Sequence, residues 1–270
     1  MSQRPERLTS LDVLRGFAIL GILVINVRAF AEVSTAQLNP GVMGGFEGAE
    51  FWVWFVSHLF FEYSFMPLLA ALFGAGLVIQ GERLTTEGRQ VERVLRRRMG
   101  ALALIGLGHL VFIWYGDILL LYAVVGVVAA RFRHLPPTRL MGWALGFYLV
   151  PFGFALLMTG MLNWIPAEEY EAFRQQFWRA DSALVQQEIE AYRGGWLAQF
   201  EHRLRVLFES WPSMLLTESG WRVLALMLVG MALYRGGFFS GRWPESPYRR
   251  LALLGFGIGI PLCQWGVLYN

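Results

Sequence analysis

The chain has 270 residues, of which 56% are hydrophobic and 16% are charged. Soluble globular proteins average about 25% charged residues, so this composition indicates lipid as the main solvent and excludes a disordered or collagen-like chain. A single cysteine, Cys263, excludes an internal disulfide scaffold. The net charge is +3, and all 23 basic residues are arginines that fall in short clusters rather than in one broad patch. Nucleic acid is therefore not an expected partner.

Apolar runs that approach the thickness of a bilayer recur along the whole chain. A helix needs about 20 mostly apolar residues to cross the hydrocarbon core. The runs predict an all-α, polytopic membrane helix bundle that forms one domain over residues 1–270. About seven transmembrane helices are predicted, at 11–29, 51–79, 98–115, 117–132, 139–163, 214–234 and 248–268. The fourth run is the shortest and would extend about 24 Å at about 1.5 Å a residue.

The arginine clusters predict how the bundle is oriented. Arginines are concentrated in the predicted connections 80–98, 131–139 and 235–250, whereas connection 30–50 has none. By the positive-inside rule, the N-terminus is cytoplasmic and the C-terminus lies outside. We therefore expect a multi-pass protein of the cell (inner) membrane, with the lipid bilayer as its main partner.

The long outer segment, 164–212, is predicted to form two amphipathic interfacial helices. Aromatic residues and leucines recur there at helical spacing on both sides of Gly194-Gly195. Helices of this kind lie in the plane of the membrane surface. Two interpretations are open: a surface brace for the bundle, and a lid over an outward-facing site.

Ionisable side chains inside membrane spans are energetically costly, which makes them the first candidates for function. His58 and Glu62 lie one turn apart in the second span, as either a general base with its orienting carboxylate or a satisfied interhelical pair. His109 lies in the third span, and Asp117 lies just beyond it. Asp117 is expected either to orient His109 for acid–base chemistry or only to cap the fourth span. The Glu-x-x-His spacing of di-iron proteins is absent, and no metal site is expected.

The first span carries three polar residues on one face. Asp12 and Arg15 are one turn apart near the cytoplasmic end, and Asn26 lies eleven residues beyond Arg15, about 16 Å along the axis. The plain interpretation is a helix start, in which Asp12 occupies the first turn and pairs with Arg15. Asn26 would then bond to a neighbouring helix.

Small residues in the second and seventh spans are expected to support close helix packing. They are Ala70, Ala71, Gly74, Ala75 and Gly76 in the second span, and Gly255, Gly257 and Gly259 in the seventh. Pro67 is expected to kink the second span.

Four segments carry a resemblance to a known family. The run LDVLRGFAILGILVIN at 11–26 resembles the first helix of the YeiB-like predicted inner-membrane proteins. The segments LFGAGL at 72–77, GDILLLYAVVGVV at 116–128 and ALMLVGMALYRGGFF at 225–239 extend this resemblance over nearly the whole chain. The family is similar to the wider transmembrane acyltransferase superfamily, which includes acyltransferase-3 and heparan-glucosaminide acetyltransferase-like proteins. The resemblance implies transfer of an acyl group from a cytoplasmic acyl-CoA donor to a hydroxyl or amine outside.

The resemblance also implies that Arg15, helped by Asp12, attracts the acyl-CoA, which is a co-substrate and not a permanently bound cofactor. Acyltransferase-3 proteins carry a basic residue, ten intervening residues and a histidine in the first helix. Arg15 matches the basic residue, whereas Asn26 stands at the histidine position. An amide cannot act as a general base, so Asn26 is expected to donate to the developing oxyanion instead.

Heparan-glucosaminide-type relatives place their histidine elsewhere on the outer side. By that resemblance, His58 or His109 would deprotonate the acceptor, with Glu62 or Asp117 orienting the imidazole. The acceptor is expected to be an extracytoplasmic small molecule or glycan. Chains of the YeiB-like family usually continue well past this length, so part of the family's usual chain is expected to be absent from this sequence.

Two other functions are compatible with the same residues. In a transporter or permease of a small polar solute, the intramembrane polar groups would line a water-filled path. In a non-catalytic membrane scaffold or sensor, the outer amphipathic helices would be the functional part.

Overall fold

The computed structural model describes residues 9–37, 40–43, 47–62, 64–178 and 182–269. Within these ranges the chain forms twelve α-helices and no strand, which confirms the all-helical prediction. The helices are α1 (Thr9–Ala31), α2 (Gly48–Ser57), α3 (Phe65–Thr86), α4 (Val91–Phe112), α5 (Leu119–Ala129), α6 (Pro137–Leu162), α7 (Ala167–Trp178), α8 (Ala183–Arg193), α9 (Trp196–Arg205), α10 (Trp211–Thr217), α11 (Ser219–Arg235) and α12 (Glu245–Tyr269). Short π-helical turns follow α2 (His58–Glu62) and α9 (Val206–Ser210).

Three helical stretches are long and apolar enough to cross a membrane: α1, the α2–α3 stretch and α6. A fourth arises if α9–α10 and α11 count as one span with a bend of 48°. α5 and the turn after it are apolar but short. The described residues therefore give three or four candidate spans, and the count of seven stays a prediction.

α4 begins at Val91, about two turns before residue 98, because glutamate and arginine favour helix and carry it beyond the apolar run. This helix is therefore longer than the span predicted within it. In the predicted second span, a π-helical turn lies between α2 and α3. The kink at Pro67 stays a prediction, because Tyr63, four residues before it, lies outside the described residues. Pro67 lies in the first turn of α3, where a missing backbone N–H costs no helical hydrogen bond.

The two helices at the centre of the fold, α3 and α11, touch backbone to backbone. A Cβ on Gly74 would stand 1.9 Å from the backbone oxygen of Met227, and a Cβ on Gly230 would stand 1.8 Å from that of Ala71. Only glycine fits at these two positions, so the close packing expected in the second span is confirmed. α1, α5 and α6 pack around this pair.

Several helices turn apolar side chains away from the rest of the protein. On α1, α6 and α12 they include Phe17, Leu20, Phe152, Leu157 and Phe256. Water would be a poor solvent for such faces, so they indicate association with a lipid bilayer.

The packing expected at the glycines of the seventh span is not found within the described part of the chain. No heavy atom lies within 4 Å of where a Cβ would stand on Gly255, Gly257 or Gly259. The described contacts of α12 lie elsewhere, at the π-helical turn after α2 and, through Tyr248, at Phe238 after α11.

Within 164–217 the described residues form four short helices, α7 to α10, whereas two were predicted over 164–212. The prediction followed aromatic spacing, and α8 holds a single aromatic residue, Tyr192. Phe200, Leu204 and Leu207 pack against Leu110 and Val111 near the end of α4. This packing agrees with the brace interpretation of the outer segment.

Candidate active site

His109 and Asp117 lie in contact where α4 ends and α5 is about to begin. The Nδ1 atom of His109 is 3.1 Å from Oδ1 of Asp117. The other carboxylate oxygen, Oδ2, accepts a hydrogen bond from the backbone N–H of Leu120 at 2.7 Å. Asp117 thus makes both of the contacts that the sequence left as alternatives.

Close packing of α4 against α5 brings the two side chains together. A Cβ on Gly106 would stand 2.3 Å from the backbone nitrogen of Leu120, so the approach requires glycine. The side chain of Asp117 is 0% exposed, whereas that of His109 is 32% exposed. A buried carboxylate fixed by two hydrogen bonds holds the imidazole in one orientation, and it leaves the imidazole partly accessible.

This geometry suits a general base. An ionised carboxylate accepts a hydrogen bond from Nδ1–H, so the lone pair of the neutral imidazole lies on Nε2. A group that brings a hydroxyl or amine proton within hydrogen-bond reach of Nε2 can transfer that proton to it. The carboxylate then faces the imidazolium that forms and stabilises its charge.

A cavity of about 420 Å³ lies beside this pair, at the end of the bundle predicted to face outside. Its walls come from the end of α1, the turn after α4, α8 and α9. Trp114 joins the cavity to the histidine: it lines the cavity, and its ring stands edge-on to the His109 imidazole with the centroids 6.5 Å apart. The histidine is therefore one aromatic ring away from the cavity.

Two side chains that line the cavity hold donors without a protein partner in the described residues. They are the indole Nε1–H of Trp114 and the hydroxyl of Tyr192, and both atoms are buried. Burial, with the negative charge of Glu188 nearby, raises the pKa of Tyr192 to about 12, so its hydroxyl keeps its proton at neutral pH. An unpaired buried donor costs about 1–3 kcal/mol. The two donors therefore favour a ligand with acceptor oxygens.

Glu188 links α8 to the chain segment that follows α1 by two hydrogen bonds. One carboxylate oxygen accepts from the backbone N–H of Ser34 at 2.9 Å, and the other accepts from the Ser34 hydroxyl at 2.8 Å. Glu188 also lines the cavity. α8 is thereby tied to the chain that follows α1, and the two together close one side of the cavity.

The side chain of Arg203 caps the C-terminal end of α4. Its guanidinium is almost completely buried, at 1% exposure for the residue. Nε donates to the backbone oxygen of Val111 at 2.8 Å, and Nη1 lies 3.4 Å from that of Ile113. The indole of Trp196 donates to the oxygen between them, on Phe112, at 3.3 Å. These contacts satisfy carbonyls that the last turn of a helix leaves unpaired.

Arg203 and Glu188 were missed by the sequence reasoning. A signal for Arg203 exists: it lies three residues after Phe200 and four before Leu207, on the apolar face of an amphipathic helix. An arginine on such a face has to find buried acceptors. Glu188 carries no comparable signal, because its helix was not predicted.

The structure does not join the other candidate histidine to this site. The ring of His58 stacks on Trp54 with the centroids 4.9 Å apart, at the start of the π-helical turn. The side chain of Glu62 lies outside the described residues, so the His58–Glu62 pair stays a prediction. Neither His58 nor His109 is among the described residues that line the cavity. His109 approaches it through the ring of Trp114, whereas the described ring contact of His58 is with Trp54.

The polar residues of α1 lie towards its two ends. Nη1 of Arg15 is 3.6 Å from Oδ1 of Asp12, as the spacing predicted. Nη2 donates to the backbone oxygen of Leu72 on α3 at 3.3 Å, and a Cβ on Gly76 would stand 2.8 Å from that nitrogen. Gly76 therefore leaves room for Arg15 to tie α1 to α3. Asn26 is half-buried in the C-terminal half of α1.

Comparison with known proteins finds relatives that are 33% identical to this chain, two of which cover most of it. The chain is 33% identical over 260 residues to the uncharacterized protein YeiB of Escherichia coli (strain K12), which is 95% of this chain and 63% of YeiB. It is 33% identical over 217 residues to the uncharacterized protein YxaH of Bacillus subtilis (strain 168), which is 78% of this chain and 52% of YxaH. No protein-family model matches the chain, and no solved structure matches it significantly.

The chain therefore spans between half and two thirds of the length of these relatives. The match to YeiB covers nearly all of this chain. Together with the apolar helices, these similarities support a YeiB-like family of membrane-associated helical proteins for this chain.

Proposed function

We propose that the protein is a multi-pass acyltransferase of the cell membrane, in which His109 activates an acceptor held in the outer cavity. The observation that carries this proposal is the contact of His109 with the buried Asp117, beside a cavity that holds two unpaired donors. In the proposed topology, α1, α3, α4, α5, α6, α11 and α12 cross the membrane. That arrangement puts the cavity outside and the arginine-rich connections in the cytoplasm.

In the proposed reaction the acyl group passes directly from acyl-CoA to the acceptor. Nε2 of His109 takes the proton of the acceptor hydroxyl or amine while that oxygen or nitrogen attacks the thioester carbon of acyl-CoA. A tetrahedral oxyanion forms, to which the amide of Asn26 donates a hydrogen bond. Collapse of this intermediate breaks the C–S bond, and the imidazolium returns its proton to the departing thiolate. Asp117 stabilises the imidazolium between the two proton transfers.

Arg15 is the proposed docking point for the anionic donor, and Asp12 orients its guanidinium. A guanidinium presents a planar set of N–H donors that suits phosphate oxygens. The side chain of Arg15 is 37% exposed, and its bond to Leu72 holds the guanidinium against α3. His58 with Glu62 is the second candidate for the base.

The experiment is an acyl-transfer assay with the purified full chain in liposomes. Radiolabelled acetyl-CoA is the donor, and glucosamine and glucose are the first acceptors. We expect labelled acetyl product, with Arg15→Gln raising KM for acetyl-CoA at least tenfold. Arg83→Gln, which removes an exposed arginine from the same end, should leave KM unchanged. Absence of any acetyl transfer from a well-folded sample would overturn the proposal.

A transporter of a small polar solute is the second candidate, favoured by a second cleft at the opposite end of the bundle. A transporter moves its solute into liposomes without an acyl donor. The proposed acyltransferase gives no such flux, so the same liposomes, assayed for labelled glucose uptake without acetyl-CoA, distinguish the two.

A further inference from the structure

A second cavity lies at the arginine-rich end of the bundle, far along the helices from His109. It has a volume of about 350 Å³ and opens between the ends of α3 and α11 and the turn after α5. Polar side chains that line it are Glu82, Thr85, Thr86, Arg133, His134 and Arg235. We call it the arginine cleft.

Arg133 is held rigidly in this cleft but keeps one N–H unused. Its side chain is 8% exposed, Nη2 bonds to the carboxylate of Glu92, and Nη1 donates to the backbone oxygen of Ala130 at 3.0 Å. Nε is buried and has no partner among the described residues. A Cβ on Gly81 would stand 3.3 Å from this nitrogen. Gly81 also lines the cleft, and the Arg133 side chain packs against the face of α3 where the glycine has no side chain.

Arg235 is arranged in the same way. Its Nη2 donates to the backbone oxygen of Arg133 at 2.6 Å and lies 4.0 Å from a carboxylate oxygen of Glu82. Its Nε is also buried without a partner in the described part of the chain. The carboxylate of Glu82 accepts from the hydroxyl of Tyr234 as well, at 3.1 Å. Both arginines that line the cleft thus hold an Nε–H without a partner among the described residues.

The charges around the cleft favour an anion. Both carboxylates are well exposed, with Glu82 at 52% and Glu92 at 64% for their side chains. The arginines are less exposed, at 8% for Arg133 and 27% for Arg235. Water screens the exposed carboxylates more strongly than the buried guanidiniums, and His134 adds a further donor. Of these groups, Arg133, Arg235 and Glu82 line the cleft, and their formal charges sum to +1.

We propose that the arginine cleft binds a phosphate group, which accepts from the Nε–H groups of Arg133 and Arg235. Phosphate oxygens make strong charge-assisted hydrogen bonds with guanidinium, and two such bonds would satisfy both unpaired donors. The phosphate can belong to a soluble compound or to the headgroup of an anionic lipid. This site is separate from the His109–Asp117 pair and does not depend on acyl transfer.

The test is calorimetric titration of inorganic pyrophosphate into the full chain in phosphatidylcholine nanodiscs at low salt. We expect saturable binding that weakens at least tenfold in Arg133→Gln/Arg235→Gln. Arg83→Gln is the matched control, because it removes one exposed arginine from the same end and should change Kd less than twofold. Glu82→Gln should strengthen binding, because it removes a negative charge from the cleft.

A second experiment, with lipid, distinguishes a soluble compound from a lipid headgroup as the source of the phosphate. Wild-type protein and the double variant are purified from vesicles of phosphatidylcholine and phosphatidylglycerol, and retained phosphatidylglycerol is counted by mass spectrometry. Pyrophosphate binding that needs the arginines supports a soluble ligand, and phosphatidylglycerol retention that needs them supports a headgroup. Arg235→Gln alone replaces the double variant if that variant does not fold. The proposal is overturned if neither probe binds the wild type, or if both bind the arginine variants equally well.

Discussion

Asp117 joins His109 to the first turn of α5, because one carboxylate oxygen contacts the imidazole and the other accepts the Leu120 amide. A substitution of this side chain therefore changes two properties that can be separated. Asparagine keeps an oxygen that can cap the helix but loses the charge that orients and stabilises the imidazole. Alanine removes both.

The first prediction compares these two substitutions at Asp117. Asp117→Asn is expected to keep the wild-type fold and to lower kcat about a hundredfold or more, since general-base catalysis contributes about 10²–10⁴-fold. Asp117→Ala is expected to lose, in addition, about 0.5–2 kcal/mol of unfolding free energy with the cap. Unfolding curves in detergent and acyl-transfer rates check both statements. Wild-type activity in Asp117→Asn would contradict the proposed role.

The second prediction concerns the contact between α3 and α11. Gly74→Ala is expected to lower the unfolding midpoint clearly, because the new methyl would meet the Met227 backbone oxygen at 1.9 Å and the helices would have to separate. Overpacking of this kind costs at least about 1–3 kcal/mol. Gly255→Ala is the matched control, since no heavy atom lies within 4 Å of the new methyl. Equal midpoints for the two variants would show that the close contact is absent in the protein.

The third prediction separates binding from stability in the outer cavity. Tyr192→Phe removes a buried hydroxyl that has no partner in the described residues, so the unfolding midpoint should stay the same or rise. The KM for the acceptor should rise about 2- to 10-fold, the usual worth of one hydrogen bond. Tyr122→Phe is the control, because its buried hydroxyl donates to the backbone oxygen of Met66 at 3.0 Å and its loss should lower stability. An unchanged acceptor KM in Tyr192→Phe would exclude that hydroxyl from the site.

The fourth prediction concerns the loss of stability at acid pH. The hydrogen bond from Arg133 lowers the pKa of Glu92, which precedes the predicted third span, below its ordinary value of 4.5. A group whose pKa is lowered by folding stabilises the protein above its unfolded-state pKa, and this contribution is lost as the pH falls through the folded-state value. The unfolding midpoint of the wild type should therefore drop more steeply below about pH 4.5 than that of Glu92→Gln. Parallel pH profiles would show that the pair does not form in solution.

The sequence predicted those contacts of the candidate residues that join positions close together in the chain. His109 and Asp117 are eight residues apart across a tight turn, so their contact needs only that α4 and α5 pack side by side. Asp12 and Arg15 are likewise one helical turn apart, and their contact follows from helix periodicity. The small residues of α3 were identified for the same reason, since close packing needs only a missing side chain on one helix face.

The residues that the sequence missed depend on contacts between distant segments. Arg203 is buried because α9 folds onto the end of α4, about 90 residues earlier in the chain. Glu188 is buried because α8 meets Ser34, a separation of 154 residues. A charged side chain in an outer segment is ordinarily exposed, and apolar periodicity carries no information about which carbonyl or amide it will meet. The start of α4 also differs from the start of the predicted span, because the helix continues past the apolar run by which a span is recognised in the sequence.

The most direct test of the His109–Asp117 mechanism is the rate of acetyl transfer by His109→Gln and His58→Gln at saturating acetyl-CoA. We expect His109→Gln to lower the rate about 10²–10⁴-fold, while the protein stays folded and His58→Gln stays within about threefold of the wild type. The double variant should be no slower than His109→Gln alone. A wild-type rate in His109→Gln would contradict the central claim that the His109–Asp117 pair activates the acceptor.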